Sequence, residues 1–289
     1  MRPSRRARGL TLVEVLIALA IFVTIAALVG AGIVQALRVQ SLNEASTSLQ
    51  AKLRRISEVV SQDLRSAVFG GVTNSPFTSN SGAVSFNLVQ GGQGFQVVEA
   101  TAGGFVGASA VRVLSALNPG LEGGRALMVN GVGASTSFAV GSVSSIGGSL
   151  WNVVLSGCTN SIAYAQPVRA FAVESVGFSF DAATGTLNRG SVGGGSLPVA
   201  FGLTGFEIAY VYDGEDGSTL VRAAPLMDGS SPARVADVGG VTYTMVALRV
   251  TMTAEAPVGG GGTVERSYVS QIPLPAGGNI NLRSVVNCS

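Results

Sequence analysis

The sequence predicts an α+β protein: one long N-terminal helix, its first half membrane-spanning, packed by its second half on a β-rich C-terminal domain. Three observations predict it. Residues Gly9 to Leu37 carry a single charge, Glu14. No proline falls between Pro3 and Pro76, so nothing forbids one continuous helix there. From Gly70 onward, short apolar runs alternate with turn residues in a chain holding 40 glycines and 10 prolines, the pattern of many short strands.

The chain opens MRPSRRARG, with Arg2, Arg5, Arg6 and Arg8 ahead of the apolar run. A secretory signal would be cut after that run at a small-x-small site. Ala26 to Gly32 offers small residues, but Val and Leu interrupt them. A retained anchor fits better. Val15 to Leu37 is 23 residues without a charge, and a helix needs about 20 to cross the hydrocarbon core. Arginines on the N-terminal side place that end in the cytoplasm.

Past Arg38 the pattern turns amphipathic. Leu42, Ala45, Leu49, Leu53, Ile56, Val60, Leu64 and Ala67 recur at spacings of three and four, one buried stripe on a helix running from about Leu12 to about Val68. Gly30 and Gly32 weaken that helix midway, which suits either local stretching or, the favoured reading, close packing of another helix.

The remainder reads as strands at Ala83–Val89, Phe95–Ala100, Ala110–Ala116, Ala126–Asn130, Leu150–Leu155, Val168–Glu174 and Val176–Asp181. Further on come Phe206–Tyr212, Leu220–Ala223, Val241–Ala254, Val264–Pro273 and Ile280–Arg283. The clearest hairpin joins Val241–Ala254 to Val264–Pro273 through Gly259 to Gly262. One domain is expected, divided into two sheets near Gly190–Gly195. The organisation is thus leader 1–9, spanning helix 10–37, amphipathic helix 38–69 and β-rich extracytoplasmic domain 70–289.

Composition excludes several chemistries. There is no histidine, which removes Ser-His-Asp and Cys-His pairs and most zinc sites. Lys52 is the only lysine and lies on the predicted helix, so Ser-Lys catalysis has one poorly placed base. The formal charge of +2 rests on four leader arginines and becomes −2 without them. No polybasic run follows, so direct nucleic-acid binding has no electrostatic footprint.

Glu14 is the residue an ordinary anchor does not need. Unpaired in lipid it costs ~2–3 kcal/mol or more. Near a helix N-terminus it gains roughly 0.3–1 kcal/mol from the macrodipole. These terms alone leave open whether it serves its own helix or a partner.

The stretch Gly9-Leu10-Thr11-Leu12-Val13-Glu14-Val15-Leu16-Ile17-Ala18-Leu19-Ala20-Ile21, behind its basic leader, resembles the type IV prepilin processing and methylation motif. The resemblance implies cleavage after Gly9 by a prepilin peptidase, methylation of the new amine on Leu10, and a pilin-like β-rich domain. It makes Glu14 the assembly residue, set against the N-terminal amine of a neighbouring subunit. The sequence departs from the family at Leu10, where Phe is usual. Gln62-Asp63-Leu64-Arg65-Ser66-Ala67, Phe206–Asp213 and Asn281-Leu282-Arg283 are similar to PilW-like and type II secretion J-like minor pilins. The partners implied are the peptidase, other pilin or pseudopilin subunits and an inner-membrane assembly platform. The localisation implied is the inner membrane with an extracytoplasmic C-terminal domain. No cofactor, metal or catalytic residue is expected; the rival reading is a membrane-anchored adhesin or hydrolase that does not polymerise.

Other candidates are weaker. Asp213-Gly214-Glu215-Asp216-Gly217 crowds three carboxylates but lacks EF-hand spacing, and reads first as a solvated turn. Gly193–Gly195 and Gly259–Gly262 lack the Lys-Ser/Thr of a phosphate loop. Trp151 reads as a core or half-buried strand residue. Cys158 and Cys288, the only cysteines, would pair in an oxidising compartment and stay as thiols in the cytosol.

Overall fold

A computed structural model describes residues 12–90, 94–98, 105–259, 261–275 and 282–288. It contains one helix, α1 (Leu12–Arg65), followed by strands. These are β1 (Ala67–Thr73), β2 (Ala83–Val89), β3 (Phe95–Val98), β4 (Ala110–Leu114), β5 (Arg125–Val129) and β6 (Ala134–Gly147). Next come β7 (Leu150–Ser156), β8 (Arg169–Asp181), β9 (Thr186–Ser191), β10 (Gly195–Ala200), β11 (Gly205–Gly214) and β12 (Thr219–Arg222). The last are β13 (Met227–Asp228), β14 (Ser231–Pro232), β15 (Val235–Val238), β16 (Val241–Pro257), β17 (Thr263–Pro273) and β18 (Ser284–Asn287). The chain divides into two compact units: Met1–Leu49 with Glu255–Glu265, and Gln50–Ala254 with Arg266–Ser289.

In the first unit α1 exposes its apolar side chains from Leu12 to Val39. The β16–β17 turn also belongs here, closed by the Val258 N–H donating to the Gly262 carbonyl at 2.9 Å.

In the second unit the amphipathic stripe is buried at Leu53, Ile56, Val60 and Leu64, about 1.5–3 kcal/mol each by area. Two polar ties hold this helical stretch: Arg189 Nε of β9 donates to Asp63 Oδ2 at 2.7 Å, and Lys52 Nζ donates to the Gly202 carbonyl at 3.3 Å. The stripe does not begin at Leu42, which is 41% exposed. The helix also stops short of Val68. Ser66 N–H donates to the Asp63 carbonyl at 3.0 Å, and Phe69 and Gly70 then take φ of 49° and 62°, which no helix accommodates. At Gly70 a Cβ would stand 2.8 Å from Leu274 Cβ and 3.0 Å from Arg234 Nη1. A side chain is therefore excluded twice over there, by conformation and by contact.

The largest sheet holds a closed circuit. β8 pairs β5 along Arg169–Val173 on one edge and β3 at Arg169 and Ala170 on the other. β3 pairs β4, β4 pairs β7, β7 pairs β6 and β6 returns to β5, every pairing antiparallel. Six strands thus make a small barrel. Its interior holds Val97, Val111, Val113, Met128, Phe138, Val153 and Ala170, with Phe105 and Leu121 from the loops. Leu127, Val129, Phe171 and Val173 point the other way and build a second core with Val68, Leu282 and Val285. β8 then runs on past the barrel to pair β2 and β9. The expected break at Ser175 is absent, because its hydroxyl donates to Asn87 Oδ1 at 2.6 Å and keeps it in register with that residue.

A second sheet runs β12-β11-β16-β15, with β17 also on β16. Phe206, Ile208 and Tyr210 sit opposite Met252, Val250 and Leu248 and are all buried. Phe180 of β8 lies 6.2 Å from Phe206 between ring centroids, which joins the two sheets. The division between sheets falls after Ala200 and not at Gly190–Gly195, which span the end of β9, the β9–β10 turn and the first residue of β10. Strand Phe95–Ala100 ends at Val98, residues 99–100 lying outside the described residues. Of the expected Ile280–Arg283 strand, residues 280–281 lie outside too, and the strand observed is Ser284–Asn287, parallel to β6.

Candidate functional site

Every residue from Leu12 to Gln40 of α1 is exposed, and Leu12, Phe22 and Leu28 are at least 70% exposed. An 18-residue window here reaches a mean hydropathy of 2.8 with none of it buried. An exposed apolar surface of this length needs lipid or another apolar chain around it. Thr24 causes no break, since its hydroxyl donates to the Ala20 carbonyl at 2.8 Å. Gly30 and Gly32 lie within the helix, and a Cβ on either would meet nothing within 4 Å. Among the described residues, no contact requires them to be glycine.

Glu14 sits in the first turn of α1. There its carboxylate complements the positive end of the helix dipole. It is the one charge before Arg38 in the described helix. Gly9 and Leu10, the expected processing residues, lie outside the described residues.

The β-rich unit places the remaining candidates. Cys158, just past β7, and Cys288, just past β18, are joined by a disulfide with Cα atoms 6.0 Å apart. Both cysteines pack on the barrel core, and the Cys288 N–H donates to the Ser137 carbonyl at 2.7 Å. Trp151 is half-buried in β7 and donates its indole N–H to the Ser115 carbonyl at 3.0 Å.

Asp213–Gly217 forms the β11–β12 turn. Gly214 N–H donates to the Ser218 carbonyl at 2.7 Å, and Gly217 N–H to the Gly214 carbonyl at 2.9 Å. Ser218 donates its hydroxyl and N–H to Asp216 Oδ1, holding that carboxyl below the usual carboxylate range. Asp213 accepts from Thr219 at 3.4 Å. Two of the three carboxylates are thus used by the turn itself. Among the described residues, no group of three or more Cys, Asp or Glu side chains is arranged to hold a metal ion. Glu215 instead lines a cleft of about 450 Å³ together with Asp237, Thr242, Thr244, Val132 and Arg283. Sequence reading did not bring Glu215 and Asp237 together; the pairing of β15 with β16, which places Asp237 opposite Thr242, does so.

An exposed apolar helix with a carboxylate in its first turn, continuing into a β-rich unit, defines a class: single-pass proteins anchored at the N-terminus. Residues 4–30 match the prokaryotic N-terminal methylation motif family. The match makes this N-terminal segment similar to that of type IV prepilins and pseudopilins, and the motif implies processing by a prepilin peptidase and association with other pilins. The match covers the N-terminal segment and does not reach the barrel or either sheet. No curated protein and no solved structure matches the chain.

Proposed function

We propose that the chain is a minor pilin or pseudopilin of the PilW-like or type II secretion J-like kind, a structural subunit and not an enzyme. After cleavage between Gly9 and Leu10 it joins or primes a type IV pilus-like filament serving motility, adhesion, DNA uptake or secretion. One observation carries this reading: Glu14 is the single charge in the exposed helical stretch from Leu12 to Leu37. The helix supplies an apolar surface for neighbouring subunits. The carboxylate supplies register, because a charge in low dielectric is stable only where its counter-charge arrives. The counter-charge is the new amine on Leu10 of a neighbour.

The test has two parts. Mass spectrometry of membrane-extracted protein should show a chain starting at Leu10; an intact leader rules the reading out. Glu14→Ala should then insert and be processed normally, yet fail to enter the filament fraction. If Glu14 serves only its own helix dipole, its loss costs under about 1 kcal/mol and incorporation survives. Wild-type levels of filament-associated Glu14→Ala protein refute the assembly role.

A further inference from the structure

The first unit carries a cleft where α1 leaves its uncharged stretch. Every residue from Leu12 to Gln40 is exposed; Ser41, Ala45 and Ser46 are the first to be partly covered, ahead of buried Leu49. The β16–β17 turn covers Ser41: a Cβ on Gly259 would stand 3.3 Å from Ser41 Oγ and 3.5 Å from Ser41 Cβ. Where turn and helix meet, Val34, Leu37, Arg38, Ser41 and Gly259 line a cleft of about 360 Å³.

The two ends of the cleft differ in chemistry. Val34 and Leu37, 65% and 60% exposed, form the apolar end. The polar end has Arg38 and the Ser41 hydroxyl, which donates to the Arg38 carbonyl at 2.9 Å. Among the described residues no hydrogen bond or ion pair holds the Arg38 guanidinium. The next carboxylate along the helix, Glu44, accepts from the Gln40 amide at 2.9 Å. Depth points the same way. Val15 to Leu37 is 23 residues, about 34 Å of helix against a hydrocarbon core of about 30 Å. With that stretch across a bilayer, Val34 and Leu37 lie where acyl chains meet headgroups. Arg38 then lies among the phosphates, the depth at which long basic side chains settle.

We propose that this cleft seats one phospholipid of the surrounding bilayer, its phosphate held by Arg38 and the first carbons of an acyl chain held against Val34 and Leu37. A guanidinium presents parallel N–H donors that match phosphate oxygens, and such charge-assisted bonds are the strong ones. Gly259 closes the cleft on the turn side, so the bound lipid fixes the β16–β17 turn at the membrane face. The site needs the helix in a membrane, but neither Glu14, the leader nor a second copy.

The experiment uses the full chain in vesicles of phosphatidylethanolamine and phosphatidylglycerol. These are doped with phosphatidylethanolamine carrying a diazirine on an acyl carbon near its ester, or at mid-chain as a control. After irradiation, mass-spectrometric mapping should find the near-ester label on Val34, Leu37 and the β16–β17 turn, and the mid-chain label on Phe22 and Leu28. Arg38→Gln should cut labelling of the turn about fivefold, the ratio one cation beside a headgroup layer contributes. Arg38→Lys should restore most of it. Gly259→Glu, which offers Arg38 a carboxylate from the chain itself, should cut it as far as Arg38→Gln does. Phe22 should label equally in every variant, and unchanged thermal unfolding shows each to be folded. An unlabelled turn, equal labelling of the turn in wild type and Arg38→Gln, or a cross-link from the turn to protein in place of lipid overturns the proposal. Glu14→Ala separates the two readings: labelling of its turn upholds the lipid seat even if Glu14 proves dispensable for assembly. A labelled Phe22 with a bare turn overturns the seat alone, whereas a bare Phe22 overturns the membrane anchor and the seat with it.

Discussion

Replacing both cysteines, Cys158→Ala with Cys288→Ala, should destabilise the β-rich unit by about 5 kcal/mol. The bridge closes a loop with a sequence separation of 130 residues. In the chain-entropy model that closure removes roughly 17 cal/mol/K from the unfolded chain, or about 5 kcal/mol at 25 °C. The folded state loses little by comparison. β18 keeps its parallel pairing with β6, and Leu282 and Val285 remain in the second core. A unit of this size should then melt ~10–20 °C lower. The assay is thermal unfolding of the full chain in mild detergent, followed by near- and far-ultraviolet circular dichroism, with a urea titration at 25 °C. Both signals should shift together, since the bridge constrains the whole unfolded chain. A fall of less than about 3 °C with an unchanged urea slope would refute the loop argument. A changed slope would mean that the unfolded chain keeps structure, which the calculation assumes absent.

Three further outcomes follow from single positions in the same unit. Leu53→Ala empties a site that is 0% exposed and should cost ~3–5 kcal/mol by urea denaturation, whereas Val59→Ala, at 43% exposure, should stay within about 0.5 kcal/mol. Asp63→Asn weakens the part-exposed pair with Arg189 and should cost about 1 kcal/mol after solvent screening, a loss that fades in high salt. Tyr210 is fully buried, donates to the Asn80 and Ala83 carbonyls, and is held by that burial well above the ordinary phenol range. Its stabilisation is therefore complete below the unfolded value near pH 10 and declines as pH rises beyond it. Tyr210→Phe should lose about 1 kcal/mol at pH 7, and its melting temperature should fall less steeply than wild type above about pH 10.

What was legible in the sequence was whatever a local pattern decides. Helix α1 was readable because charge-free and then amphipathic periodicity run on without a proline, and because period 3.6 over this length has no strand equivalent. β2 and β7 were readable as apolar runs between turns. The end of the helix was not, because Ala67 and Val68 continue the apolar spacing, yet the helix closes at Arg65 and Ala67 already belongs to β1. Phe69, inside β1, is the one non-glycine residue with positive φ among the described residues, a conformation its residue type does not advertise. Glu14 stands out in the sequence for the opposite reason: it is the one charge that the apolar pattern from Gly9 to Leu37 does not explain. Glu215 was visible only as part of an acidic turn, and its neighbours in the cleft come from strands that sequence spacing does not bring together.

The barrel was hidden for a reason that follows from its closure. β6 is its longest strand and lies outside the strands the sequence predicts. Its sequence, ASTSFAVGSVSSIG, keeps Phe138, Val140 and Val143 for the interior and fills the rest with serine, threonine, glycine and alanine. Such a segment resembles the loops around it when alternation is judged by apolar content. Ser135, Thr136 and Ser137 are buried nevertheless, and the Ser135 hydroxyl donates to the Ser284 carbonyl of β18. A small polar residue can therefore sit at a strand crossing where a large one would part the strands, and this is where β5, β6 and β18 meet. The same economy explains β8, whose Ala170 is shared between β3 and β5. Arg169 beside it is shared by the same two strands but is exposed, so the constraint falls on the inward-facing Ala170, and small residues are those that carry the least signal of strand.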